Sequence, residues 1–411
     1  MRNAWLGPLL ICLFVGSSTA TAAPAEVEAY LHRGELKAAE TAMVKRLAAN
    51  PADSEAAFSL GIVQFLRSIE RLGQGLHRFT PGNPVRPLID IPFLRLPVPE
   101  NSKPETASLQ DIRRILLDMQ SELTKAEASF GRVTDDKVTL SIRILDIQLD
   151  LTGDGKPESN LRNIIARYLS GGRAIPAEER LEVKFDRGDV DWFRGYCHLL
   201  LGISEVMLAH DAQEFFETSG LLFFADVKTP HEFLRKLNEN DRLYNIGNAD
   251  LIDILVALQQ IARLPMQSPE RMKRALEHFE RTFELSRASW KFIVAETDND
   301  HEWLPNAVQT GPFGATMTDE QIQSWQLFTQ EMSDILAGKR LIPFWRGTSE
   351  KRGLNLRRVF LEPRDFQILR WIQGTAATPY LENGPMTRPE VWRRLQDVFG
   401  GQFFGFALWV N

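Results

Sequence analysis

Over most of this chain apolar residues recur every three to four positions, the spacing that gives a helix one apolar face. The pattern runs from Glu26 to about Gln74, from Ser108 to about Ser129, and through a series of segments beyond Asp189. Ser108-Leu-Gln-Asp111 has the form of a helix-capping box, and Asp189 is placed to cap a very apolar helix reaching about His210. Further helices are expected over 212–224, 230–239, 249–263 and 268–296, the last with Ser268 as cap and Pro269 in its first turn. Thr318-Asp-Glu-Gln321 predicts the start of another that ends before Gly338. Segments 363–373 and 387–399 also read as helices, with Thr387 and Glu390 as a capping box.

Period-two alternation is convincing only over Lys137–Leu151. Val138, Leu140, Ile142 and Ile144 point one way, and the apolar phase then flips to Leu145, Ile147, Leu149 and Leu151. Such a flip marks a bulge or a break. A short helix, Asn160–Leu169, and a second strand-like piece, Leu181–Phe185, follow, so a two-stranded ribbon is expected to hold the intervening loop. Gln402–Asn411 is aromatic-rich and reads as a strand docked into the core. The fold class expected is mainly α. It comprises a helical hairpin over 23–79, a linker with seven prolines over 80–106, and a larger α-helical domain over 107–411 carrying the small ribbon.

Composition adds a location. Met-Arg, a nearly apolar Trp5–Val15 and a closing Ala20-Thr21-Ala22 form a secretory signal peptide over 1–22, so the mature chain is expected to begin near Ala23 in the periplasm or outside the cell. Cys12 follows Leu-Leu-Ile rather than small residues, which argues against a lipoprotein signal. Beyond that segment no apolar run is long enough to span a membrane. A net charge of −6 argues against nucleic acid and anionic membrane surfaces as partners. Cys197, the other of two cysteines, sits among apolar residues and reads as a small buried hydrophobe.

The clearest chemical signal is Asp150-Leu-Thr-Gly-Asp-Gly-Lys-Pro-Glu158. Asp150, Thr152, Asp154 and Glu158 put side-chain oxygens at alternate positions, and Gly155 permits a sharp turn, as a hard cation such as calcium requires. The stretch resembles the calcium loop of the EF-hand. The resemblance implies Asp150, Thr152 and Asp154 as side-chain ligands, the Lys156 carbonyl as another, and Glu158 at the often water-bridged ninth position. Leu161 stands at the twelfth position, where that family places a bidentate glutamate, so a distant acid would have to complete the shell. Gly34, Ala39, Met43, Leu47 and Pro51, followed by Leu60 and Gly61, resemble part of a tetratricopeptide repeat over residues 30–66, with departures at Arg46 and Gln64. That resemblance implies a helical element able to bind another protein.

Other polar clusters are weaker. Arg194, His198 and Glu205 fall near one face of an apolar helix, either as a paired network fixing helix register or as an acid/base set lining a pocket. Asp298, Asp300 and Glu302 alternate near a helix end, with His301 among them, and read as solvated acids, and the His210-Asp211 pair has no companion metal ligands. Two function classes follow. The leading one is an exported non-enzymatic binding or scaffolding protein with a structural calcium loop. The alternative is a secreted hydrolase with a pocket around His198 and Glu205.

Overall fold

The computed structural model describes residues 26–79, 96–168, 174–236, 245–246, 249–346 and 352–410. The segment expected to be a signal peptide and most of the expected proline-rich linker lie outside them. The fold is mainly α. Its first helices are α1 (Glu26–His32), α2 (Leu36–Ala49), α3 (Ser54–His77) and α4 (Leu109–Phe130). After a strand region come α5 (Leu161–Tyr168), α6 (Arg187–Ala209), α7 (Gln213–Ser219), α8 (Glu232–Arg235), α9 (Leu251–Ile261) and α10 (Pro269–Ala295). The chain closes with α11 (Asp319–Leu336), α12 (Leu356–Leu361), α13 (Ile368–Gln373), α14 (Pro389–Phe399) and α15 (Phe403–Val410). The long helices stack as successive neighbours: α2 on α3, α3 on α4, α4 on α6, α6 on α10, α10 on α11, α11 on α14.

Local chemistry explains most of the starts. Asp53 accepts from Ala56 N at the head of α3, and reciprocal boxes form at Ser108/Asp111 and Thr318/Gln321. The cap of α6 is Asp186 rather than Asp189; Asp189 is its third helical residue and accepts from Asp186 N at 3.0 Å. Ser268 makes no side-chain cap bond, and Pro269 alone marks the start of α10. The box expected at Thr387 does not form. Its hydroxyl instead donates to Glu331 Oε1 at 2.6 Å, because the fully buried Glu331 carboxylate requires donors, and α14 begins at Pro389.

The strand region divides. β1 (Leu140–Arg143) ends in a 3₁₀ turn, Ile144–Asp146, which produces the phase flip; β2 (Gln148–Leu149) follows. β1 pairs antiparallel with β4 (Glu182–Phe185), Leu140 opposite Phe185. The 150–158 loop is held by a separate pairing of β2 with β3 (Ser159–Asn160), Leu149 opposite Ser159. A three-stranded sheet of Ile342–Pro343, Arg352–Leu354 and Leu381–Asn383 carries no alternation long enough to read. The expected helix over 212–224 breaks into a 3₁₀ turn at Gly220–Leu222, and that over 363–373 shortens to α13. The tail is a helix, not a strand. Phe403, Phe406, Ala407 and Val410 recur at helical spacing, and the rings of Phe403 and Phe406 pack on Trp325 at 6.4 and 5.9 Å.

One buried cluster runs from Val27 and Phe58 through Leu140 and Phe193 to Trp325 and Val410, joining the hairpin, the ribbon and the tail. Among the described residues no helix is long and apolar enough to cross a membrane.

Candidate functional site

The β2–β3 pairing brings the ends of the 150–158 loop together, and two left-handed residues, Gly153 (φ 84°) and Gly155 (φ 81°), turn it back on itself. Asp150 organises the interior. Its Oδ1 accepts from Gly153 N at 2.6 Å and from the Thr152 hydroxyl at 3.3 Å, and its Oδ2 accepts from Gly155 N at 2.9 Å. Asp154 Oδ1 accepts from Lys156 N at 2.8 Å, and Glu158 Oε1 accepts from Leu151 N at 3.0 Å. Asp150, Asp154 and Glu158 each offer one carboxylate oxygen within 4.8 Å of the other two. None of the three forms an ion pair among the described residues. Three carboxylate oxygens this close together suit a hard divalent cation.

A fourth acid stands behind the loop. Glu70 on α3 accepts from Asp150 N at 2.9 Å, and Gln74, one turn on, donates to the Asp150 carbonyl at 2.9 Å. Burial pushes the Glu70 carboxyl up to about 7, with the charge of Asp150 adding to the rise. A cleft of about 730 Å³ opens between the loop and the α2–α3 hairpin. Pro157 packs against Gly34, where a Cβ would sit 2.4 Å from the proline ring. Leu161, at the twelfth loop position, turns away from the oxygens and lines an apolar cavity.

The Arg194–His198–Glu205 stripe resolves into two separate sets. Arg194 donates to Glu127 Oε1 at 2.9 and 3.1 Å and to Asp191 at 3.2 Å. His198 Nε2 lies 3.6 Å from the same Glu127 oxygen, and its Nδ1 is 2.9 Å from His278 Nδ1 on α10. His198 and Arg194 hold the Glu127 carboxyl down to about 2, and burial pushes His278 down to about 4. Glu205, two turns further on, accepts instead from Arg271, Arg274 and Gln120 at 3.0–3.1 Å. These groups cross-link α4, α6 and α10, and His278 lies within electrostatic reach of both sets. His210 donates from Nδ1 to the Val206 carbonyl at 2.8 Å at the end of α6. Cys197 is fully buried, and burial pushes its thiol above its ordinary range.

The acidic run at 296–302 also divides. Asp300 and Asp298 turn to Lys184, at 2.8 and 3.8 Å. Glu302 and Glu296 turn inward and meet Asp186, with one oxygen of each within 4.8 Å of the others, beside the buried Asp189. Burial pushes Glu296 up to about 8, Asp186 adding to it, and raises Glu302 and Asp189 as well. Gln309 donates to Glu296 at 3.2 Å, and Asp300 N donates to Glu302 at 2.9 Å. No local spacing announces this group. It forms because α6 and α10 run antiparallel, so the head of one meets the end of the other.

Compared with known proteins, the chain matches no family model, no curated protein and no solved structure.

Proposed function

We propose that this chain is an exported, non-enzymatic binding or scaffolding protein whose 150–158 loop takes up one calcium ion in a structural role. Asp150, Asp154 and Glu158 would supply charged oxygens, Thr152 a hydroxyl and Lys156 a carbonyl, with Glu70 completing the acidic surround. The observation that carries the reading is the approach of three carboxylate oxygens to within 4.8 Å on a loop closed by its own strand pair. Without a cation these charges repel, and binding would offset that repulsion. The tetratricopeptide-like hairpin of α2 and α3, which borders the same cleft, is the element proposed to meet a protein partner. Pairing within helix interfaces accounts for His198 and Glu205 in structural terms and supports a binding protein over a hydrolase.

The test is the melting temperature of the mature protein in chelator and in millimolar calcium, for wild type, Asp154→Ala and Glu302→Gln. A dissociation constant of ~10⁻⁴–10⁻³ M is expected. At about ten times that concentration the ion would add ~1.4 kcal/mol. Asp154→Ala should abolish the calcium-dependent rise and Glu302→Gln should keep it. Equal wild-type melts in chelator and calcium, with no heat in a direct calcium titration, would refute the site.

A further inference from the structure

A partly open apolar cavity of about 280 Å³ lies beneath the C-terminal helix. Its wall is built by α3, the turn after β1, α5, β4, α6 and α15, and the described side chains that line it are all aliphatic or aromatic. A dry cavity about half this size, lined by aliphatic and aromatic side chains, takes up benzene. Well-packed cores leave few voids larger than a water molecule, and this space approaches the size of small-ligand pockets.

Two polar groups break the apolar wall, and neither has a partner among the described residues. The indole N–H of Trp303 is buried without an acceptor and has almost no accessible surface, so it does not open onto the space. Tyr196 is half-buried, and desolvation pushes its phenol above the ordinary range. Its hydroxyl makes no hydrogen bond among the described residues, although the ring packs on Trp192 at 4.7 Å. By contrast Trp192, from the same wall, donates its N–H to the Trp409 carbonyl at 3.0 Å and so fastens α15 over the space. The Tyr196 hydroxyl is not closed off within the protein, so a molecule bringing an oxygen acceptor into the space would take its hydrogen bond. No charged side chain stands among the described lining residues, so an ionised carboxylate would enter without a counter-charge. Ile165, Trp303 and Trp409 also line an outer cleft of about 700 Å³, so the two spaces share a wall.

We propose that this cavity binds a small neutral lipophile carrying one carbonyl or hydroxyl oxygen, with the apolar body among the isoleucines and the oxygen at the Tyr196 hydroxyl. The proposal does not rest on calcium, and its test is run in chelator so that the two readings fail separately.

The probes are acetophenone, ethylbenzene and benzoate, titrated calorimetrically into the mature protein. They share an aromatic body and differ in having a neutral oxygen, none, or a charge. Acetophenone is expected to bind with a dissociation constant on the order of 10⁻⁴ M. Ethylbenzene should bind about three- to tenfold more weakly, and benzoate not detectably. Tyr196→Phe removes only an unpaired hydroxyl, so it should fold normally. It should lower acetophenone affinity by about three- to tenfold and leave ethylbenzene unchanged. Ile164→Trp fills the cavity and should abolish both. No acetophenone binding to wild type, or unchanged binding to a folded Ile164→Trp, would overturn the cavity site. Equal effects of Tyr196→Phe on the two ligands, or tight benzoate binding, would overturn the ligand class.

Discussion

Gly61 tests how closely the stacked helices approach. It lies mid-way along α3, buried against α4, where glycine normally costs a helix about 0.8–1 kcal/mol relative to alanine. On propensity alone Gly61→Ala would stabilise. The packing argues the reverse. A Cβ at this position would stand 2.4, 2.5 and 2.8 Å from three carbons of the Phe130 ring, against ordinary carbon contacts of about 3.5–4 Å. Phe130 is fully buried, stacked on Phe193 at 5.2 Å and edge-on to Phe58 at 6.0 Å, so it has little room to retreat. Overpacking a core typically costs about 1–3 kcal/mol, and an overlap of about 1 Å with three ring atoms belongs in the upper half of that range. The net expectation for Gly61→Ala is destabilisation by about 1–2 kcal/mol. Gly405, on exposed α15 with nothing within 4 Å of a Cβ, is the control: Gly405→Ala should stabilise by up to about 1 kcal/mol. Urea unfolding of the two variants and of Gly61→Ala/Phe130→Leu gives the sign and the coupling. If Gly61→Ala stabilises as Gly405→Ala does, or if shortening Phe130 recovers none of the loss, the close α3–α4 contact is refuted.

Two further expectations concern pH. The Glu127 carboxyl, held down to about 2 chiefly by His198, contributes stability that is complete above the ordinary carboxylate range and lost as pH falls toward 2. Between about pH 5 and 2 the wild type should therefore lose about 2–3 kcal/mol more unfolding free energy than Glu127→Gln, and parallel profiles would contradict the pairing. Glu296 has the opposite sign. Its folded-state carboxyl is raised to about 8, so its contribution is complete below the ordinary carboxylate range and lost as pH rises through 8. In chelator, Glu296→Gln should match wild type near pH ~4 and exceed it by about 1–3 kcal/mol near pH ~9, with equal alkaline slopes as the refuting result.

What can be read from sequence follows how local each cause is. The boxes at Ser108 and Thr318 need only four consecutive residues, and both form. The flip in alternation after Ile144 is legible as a break, though its form as a 3₁₀ turn is not. The tail reads as a strand and folds as a helix because a short, almost wholly apolar run has no polar positions to reveal its period. Thr387 is lost to Glu331, a competitor 56 residues away. For the site, oxygen spacing and glycine turns point to 150–158, but Glu70 lies 80 residues upstream and becomes visible only when α3 packs behind the loop. The meeting of Asp186 with Glu296 and Glu302 depends on antiparallel helices separated by some sixty residues of intervening chain, and nothing in either segment encodes it alone.

Leu161 ties the oxygen-rich loop to the hollow interior, and the tie is a conflict of use. Where an EF-hand places its closing glutamate, this chain places a leucine that forms part of the wall of an apolar space. Leu161→Glu would not improve the loop. It would introduce an anion among isoleucines and aromatic rings, where it must either remain protonated or force α5 outward. On the proposed calcium reading, one residue would set a ceiling on how tightly the loop holds an ion and a floor on how apolar the cavity must stay. A variant selected for stronger metal affinity should acquire its extra oxygen from the α3 side of the cleft, around Glu70 and Gln74, and leave position 161 unchanged.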